Sequence, residues 1–251
     1  EDRSFASVDA ADSTKIERYF RSNKLISTGR FVPDHFALTL NSPTLQTFGV
    51  ADAACSAAAA APKRSFTYLG APFGFATVPS IGIVAQNAAN ATTANYQGTP
   101  GSGGLWRLQT PLASSAAACT APTATCALTR QDGGTKTRLV TTYALGAATP
   151  GWDGGGATVA NVTISSSNNG TGTASFGADK LALYRHPATP QAAYTAAVTM
   201  AVQLDDLSEA ATSGNPPAIS GSIAATALPF DSGNEFRYGA MRMSSAYGSE
   251  L

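Results

Sequence analysis

The chain has 251 residues, and sixteen Lys+Arg offset sixteen Asp+Glu, so it carries no formal net charge. Charged residues make up 13%, about half the roughly 25% of an ordinary soluble domain, and Ala, Ser, Thr and Gly take their place. That argues against nucleic acid and acidic membrane surfaces as partners, since both need clustered Lys and Arg, and points to a secreted or surface β protein.

The length admits one large β domain or two modules of about 100–150 residues. No run approaches the ~20 apolar residues of a spanning helix; the Ala-rich stretch from Ala51 to Ala61 is too short. The start at Glu1-Asp2 has neither a basic region nor an apolar core of a signal peptide. Both ends read as cut ends, and export signals are expected outside this fragment.

Residues 1–28 hold a short N-terminal segment. Thr14 with Glu17 makes a capping-box pattern, and Ile16, Tyr19 and Phe20 recur at helical spacing. A helix is expected there, with a strand over Ser4–Val8 as the alternative. From Arg30 onward the signals are those of strands. Phe36, Leu38 and Leu40 alternate, Ser65–Leu69 is aromatic and β-branched, and Ile81, Ile83 and Ala85 share one face of Ser80–Ala88. Leu105–Gln109, Thr137–Leu145, Ala157–Ser166 and Lys180–Arg185 continue the pattern. Tyr194–Leu204 is Ala-rich, yet the alternation of Tyr194, Ala196, Val198, Met200, Val202 and Leu204 makes it a strand with one apolar face.

Gly, Pro, Asn and Asp clusters punctuate these runs at Pro100–Gly104, Gln131–Gly134, Thr149–Gly156, Ser167–Gly172 and Ser213–Pro217. Asn169-Gly170 is a hairpin turn between Val162/Ile164 and Phe176. Many short strands at even spacing predict an all-β fold, an antiparallel β-sandwich of the Ig-like or a related type. The glycines from Gly151 to Gly156 mark a boundary between two β modules, 29–150 and 151–251, unless they form a long hairpin loop within one domain.

Candidate chemistry is sparse. Cys119 and Cys126 are spaced for a small disulfide loop, with free buried thiols as the alternative, and Cys55 is left over. Trp106 and Trp152 are candidate ligand contacts as sugar-stacking platforms, against a core role. Asp205-Asp206 and the group Asp231, Asn234 and Glu235 are minor calcium candidates, each without the spacing that supplies ligands in order. His35 and His186, the two histidines, accompany no nucleophile motif, and His35 reads as a hydrogen-bonded structural residue. No G-x-S-x-G, H-E-x-x-H, Walker or Rossmann pattern occurs. The expectation is a non-enzymatic module without a cofactor. A hydrolase would need Asp205 or Asp206 to face a second acid across a pocket.

Three stretches look like signatures: GRFVPDHFAL (Gly29 to Leu38), RSFTYLGAPF (Arg64 to Phe73) and FRYGAMRMSSAYGSEL (Phe236 to Leu251); AQNAANATTANYQG (Ala85 to Gly98) is a fourth. Together they resemble the C-terminal region of MshQ-type proteins, associated with biogenesis of the mannose-sensitive haemagglutinin (MSHA) type IV pilus of Gram-negative bacteria. The positions that carry the likeness are Phe31, Pro33, His35 and Phe36; Phe66, Tyr68, Gly70 and Phe73; Asn95 and Tyr96; and Phe236, Arg237, Tyr238, Gly239, Tyr247 and Gly248. Leu69, Ala240 and Ser245 depart from the family's Met, Arg and Asn. The resemblance implies an exported, surface-displayed structural or adhesive module, with pilus or envelope proteins and surface glycans as partners. It brings no catalytic set. From the residues alone, Phe66, Tyr68 and Phe73 are packing aromatics, Gly70-Ala71-Pro72 is a turn, and Gly239 marks a bulge.

Overall fold

A computed structural model describes residues 33–47, 66–94, 96, 114–117, 127–133, 137–146, 150–166, 169–207 and 218–240. These residues are all-β, with no helix among them. In chain order the strands are β1 (His35–Leu40), β2 (Thr44–Leu45), β3 (Phe66–Tyr68), β4 (Phe75–Thr77), β5 (Ser80–Gln86), β6 (Ser114–Ala117) and β7 (Leu128–Gly133). There follow β8 (Thr137–Leu145), β9 (Thr163–Ser166), β10 (Thr171–Ser175), β11 (Tyr194–Thr195), β12 (Val198–Asp206), β13 (Ile219–Leu228) and β14 (Glu235–Arg237). The expected N-terminal helix, the Leu105–Gln109 strand, all three cysteines, Trp106, Phe31, Asn95, Tyr247 and Gly248 lie outside the described residues.

Nine strands form one sheet in the order β6-β7-β8-β12-β13-β1-β5-β10-β9. Its ladders are antiparallel except where β1 meets β13 in parallel, at His35 opposite Ser220. The sheet curls back on itself. Six strand spacings separate β7 from β10, roughly 29 Å in a flat sheet, yet the Arg130 guanidinium of β7 lies 4.8 Å from the ring of Phe176, one residue past β10. The two halves thus enclose a common core, as in a β-sandwich.

Strand alternation supplies that core. Ile81, Ile83 and Ala85 of β5 are buried, as are Val198, Met200, Val202 and Leu204 of β12 and Leu139 and Tyr143 of β8. Two small sheets, β11-β14-β3 and β2-β4, accompany the large one. Phe236 of β14 clusters with Phe73 and Phe230, the ring centroids 5.4–5.8 Å apart, and Phe75 of β4 lies 6.4 Å from Tyr143.

Several expectations change. Strands from both sides of residue 150 interleave in the one sheet, and the described residues fall within one compact unit, Pro33–Leu251. The glycine cluster is therefore not a module boundary. Trp152 pairs with Leu183, Asp153 caps a turn by accepting from the Gly155 and Gly156 amides, and the chain continues into the sheet. Gln131–Gly133 belongs to β7 rather than to a turn, and Lys180–Leu183 forms isolated bridges rather than a strand. Tyr194–Leu204 is extended as expected but breaks at Ala196-Ala197, so that Tyr194 joins β14 and Val198 starts β12. The hairpin at Asn169-Gly170 joins β9 to β10. Gly170 adopts φ +80°, and an added Cβ would stand 2.4 Å from the Thr93 carbonyl oxygen.

Candidate functional site

The motifs singled out in the sequence close on one another in space. β3 lies parallel to β14, with Phe66 opposite Glu235, Thr67 opposite Phe236 and Tyr68 opposite Arg237. The Arg237 guanidinium stacks 4.1 Å over the Phe66 ring and ion-pairs with Glu235, and Phe66 meets Tyr68 edge-on at 5.3 Å. Gly239 lies against the Tyr68 ring, where an added Cβ would come 3.1 Å from Cδ1. It lies beyond the end of β14, so its role is close packing rather than the expected bulge. Arg185 donates from Nε (3.2 Å) and Nη2 (2.7 Å) to the Gly239 carbonyl and stacks 4.4 Å over Tyr238. Gly70 turns with φ +78°, and Ala71 donates back to the Tyr68 carbonyl. Phe73 and Phe236 are buried beneath. Tyr68 is 42% exposed, which makes this patch the main outward aromatic surface among the described residues.

The first and fourth motifs meet at the far end of β12. Phe36 and Tyr96 pack with ring centroids 5.9 Å apart, and the Tyr96 hydroxyl donates to Asp206 Oδ2 at 2.6 Å. Burial, then the Asp206 charge and hydrogen bond, push the Tyr96 phenol well above its ordinary range. Asp205, one residue earlier, points to the opposite face. Its Oδ2 accepts from Arg138 Nε and Nη2 (3.0 and 2.8 Å), and its Oδ1 accepts from Gln203 (2.7 Å) and Ser220 (2.8 Å). Burial pushes this carboxyl up, but those bonds and the Arg138 charge outweigh it and hold it below the usual range. Register extends the row across five strands, Arg138, Asp205, Ser220, His35 and Gln86. His35 contacts Gln86 Oε1 through Nε2 and Asp34 Oδ2 through Nδ1, both at 3.0 Å, as a clamp between strands.

The adjacent acids therefore cannot act as a pair facing one pocket. Asp231 Oδ1 likewise accepts from the Thr47 amide and hydroxyl, each at 2.9 Å, Asn234 donates to the Ala196 carbonyl, and Glu235 pairs with Arg237. Those three side chains diverge instead of converging, and no cluster of three metal-ligating side chains occurs among the described residues. His186 Nδ1 accepts from the Ala188 and Thr189 amides in a surface turn. Trp152 is 2% exposed, with its Nε1 donating to the Tyr143 carbonyl at 3.1 Å. Of the two readings of Trp152, core residue and ligand contact, its burial is that of a core residue.

A cluster that sequence reasoning missed lies between the halves of the sheet. Arg130 donates to Asp132 through Nε (2.8 Å) and Nη2 (2.9 Å) and reaches Asp179 through Nη1, with all three side chains fully enclosed. Asp179 also accepts from the Ala160 amide at 3.0 Å. Burial raises the Asp179 carboxyl above its ordinary range despite the opposing pull of Arg130. The available signal was Arg-x-Asp at two inward positions of one strand, in a chain with few charges.

No curated protein and no solved structure matches this chain. The stretch with a family match contains the first, second and fourth motifs and ends within β13, short of the closing motif at Phe236. Residues 8–227 match the family model described as DUF6701, third domain, and the chain belongs to that family.

Proposed function

We propose that this chain is a non-enzymatic structural or adhesive module of an exported bacterial surface protein, associated with assembly or attachment of an MSHA-like type IV pilus. The observation that carries the reading is the pairing of the four motifs across the fold, the second onto the last and the first onto the fourth. Their polar side chains are taken up within the fold: the Tyr96 hydroxyl donates to Asp206 of β12, and Arg237 pairs with Glu235 and stacks over Phe66. Such residues serve a rigid scaffold rather than turnover. The resemblance to MshQ-type sequences supports the pilus context and an exported location, with pilus or envelope proteins as partners. Deleting this region in the parent bacterium is expected to lower piliation or surface attachment. Unchanged piliation, attachment and surface binding would refute the reading.

A second reading, a carbohydrate-binding module of a larger secreted protein, rests on Tyr68 rather than on Trp152. An exposed tyrosine opposite Arg237 offers an aromatic ring beside a charged side chain. A glycan array probed with the whole chain and with Tyr68→Ala tests it, and equal signals for the two proteins would remove it.

A further inference from the structure

We infer that bound water occupies the seam between the two halves of the sheet and joins the hydroxyls of Thr141 and Tyr143 to the cluster of Arg130, Asp132 and Asp179. The inference goes beyond the proposed function and does not rest on it. Register places the two hydroxyls. On β8, Thr141 stands directly opposite Arg130 of β7 and Tyr143 opposite Leu128, so both share the inward face with the cation. Residues opposed in this way have β-carbons roughly 5 Å apart. Thr141 and Tyr143 are fully buried, and neither Thr141 Oγ1 nor Tyr143 Oη has a hydrogen-bond partner among the described residues. Enclosed hydroxyls are rarely left so, because each loses its solvent bonds on folding and is destabilising when nothing replaces them.

The cluster reaches these hydroxyls electrostatically. Burial, then the charge of Asp179, push the Tyr143 phenol above its ordinary range, with Arg130 opposing. Tyr194 Oη is also enclosed and unpartnered among the described residues, but burial alone acts on it. Asp179 has acceptor capacity left: a carboxylate offers about four positions, and Arg130 Nη1 and the Ala160 amide take one each. β8 is paired on both edges, by β7 and β12, so its main chain is committed to ladders and the water bonds to side chains.

The chemistry of the seam selects the occupant. A cation would have to displace Arg130, which already holds both carboxyls, and an anion would face those same carboxyls. Two hydroxyls beside a carboxyl call for a neutral molecule that both donates and accepts. Water does this, and in enclosed polar sites it makes about three hydrogen bonds. It also gives Asp179 a partner in either protonation state, accepting from the neutral carboxyl and donating to the ionised one. The contact that ties the two halves of the sheet together is then a wet one.

A high-resolution crystal structure of the whole chain and two near-isosteric variants test this. The crystal is expected to show solvent density within hydrogen-bond distance of Asp179 and of at least one of the two hydroxyls. An empty seam, or hydroxyls bonded to protein groups instead, overturns the proposal. In solution, magnetic relaxation dispersion of the solvent reads long-lived internal water, and Thr141→Val or Tyr143→Phe is expected to lower its amplitude. An amplitude unchanged in both variants overturns the proposal. Stability gives a third readout of opposite sign for the two cases. Exchanging an unbonded hydroxyl for a methyl raises the urea midpoint, whereas exchanging one that holds water lowers it. Thr141→Val is expected to lower the midpoint, and a midpoint that stays or rises overturns the proposal. Where a variant fails to fold, the crystal of the unsubstituted chain decides alone.

Discussion

Arg130 on β7 and Asp179 beyond β10 bond to each other with both side chains fully enclosed, although six strand spacings separate those strands along the sheet. The contact ties one half of the curled sheet to the other. Enclosing ions is costly, and the cluster is tolerable because Asp132, Asp179 and the Ala160 carbonyl satisfy the guanidinium together. Removing the cation leaves two enclosed carboxyls without it. Arg130→Ala is therefore expected to lower unfolding free energy by about 3–5 kcal/mol, read as a reduced midpoint in urea.

The two carboxyls of that cluster are not equivalent. Asp132 holds Arg130 in a two-bond fork, whereas burial favours the neutral form of Asp179. A neutral amide should therefore replace Asp179 at lower cost. Asp179→Asn is expected to destabilise less than Asp132→Asn at pH 7, by urea denaturation under matched conditions. The reverse order would mean that Asp179 supplies most of the charge compensation.

Acid sensitivity follows from Asp205. Its folded-state carboxyl lies below the ordinary value because Gln203, Arg138 and Ser220 all donate to it, overcoming burial. A lowered acid contributes stability that is fully present above its unfolded value of about 3.9 and is lost as pH falls through the folded value. The chain should thus lose stability from about pH 4 downward, and Asp205→Asn should flatten that part of the profile. Asp179, raised instead, works with the opposite sign: its contribution is present below about 3.9 and lost as pH rises through its folded value. Denaturation midpoints from pH 7 to 2.5, for the chain and for each Asn variant, separate the two.

The β character was legible because alternation survives at single-residue resolution. Val198, Met200, Val202 and Leu204 are buried as their parity demands, and Ile81, Ile83 and Ala85 likewise. What alternation cannot carry is partnership. Tyr194 and Ala196 share the parity of β12, but the chain turns at Ala196-Ala197 because Tyr194 stacks on Phe236, forty-two residues away in sequence, with ring centroids 6.0 Å apart. Gln131-Asp132-Gly133 has turn composition, yet Asp132 is held inside β7 by Arg130, a demand that local propensity does not register. Trp152 had two readings from sequence, ligand platform and core, and its burial, with the indole nitrogen donating to the Tyr143 carbonyl, is that of a core residue. Asp205 and Asp206 looked like an acid pair in sequence, and strand geometry alone sends them to opposite faces.

The contrast between Tyr68 and Phe236 separates surface from scaffold within the motifs. They lie one position out of register on paired strands, but Tyr68 is 42% exposed while Phe236 is fully buried against Phe73, Phe230 and Tyr194. Phe236→Ala removes a ring from that cluster and is expected to cost about 3–5 kcal/mol. Tyr68→Ala leaves the cluster intact and should move the midpoint far less, while abolishing any ligand binding at this patch. Paired melts of the two variants, followed by the glycan array on the stable one, distinguish a lost site from a lost fold. A large loss of stability in Tyr68→Ala would instead make the exposed ring part of the scaffold.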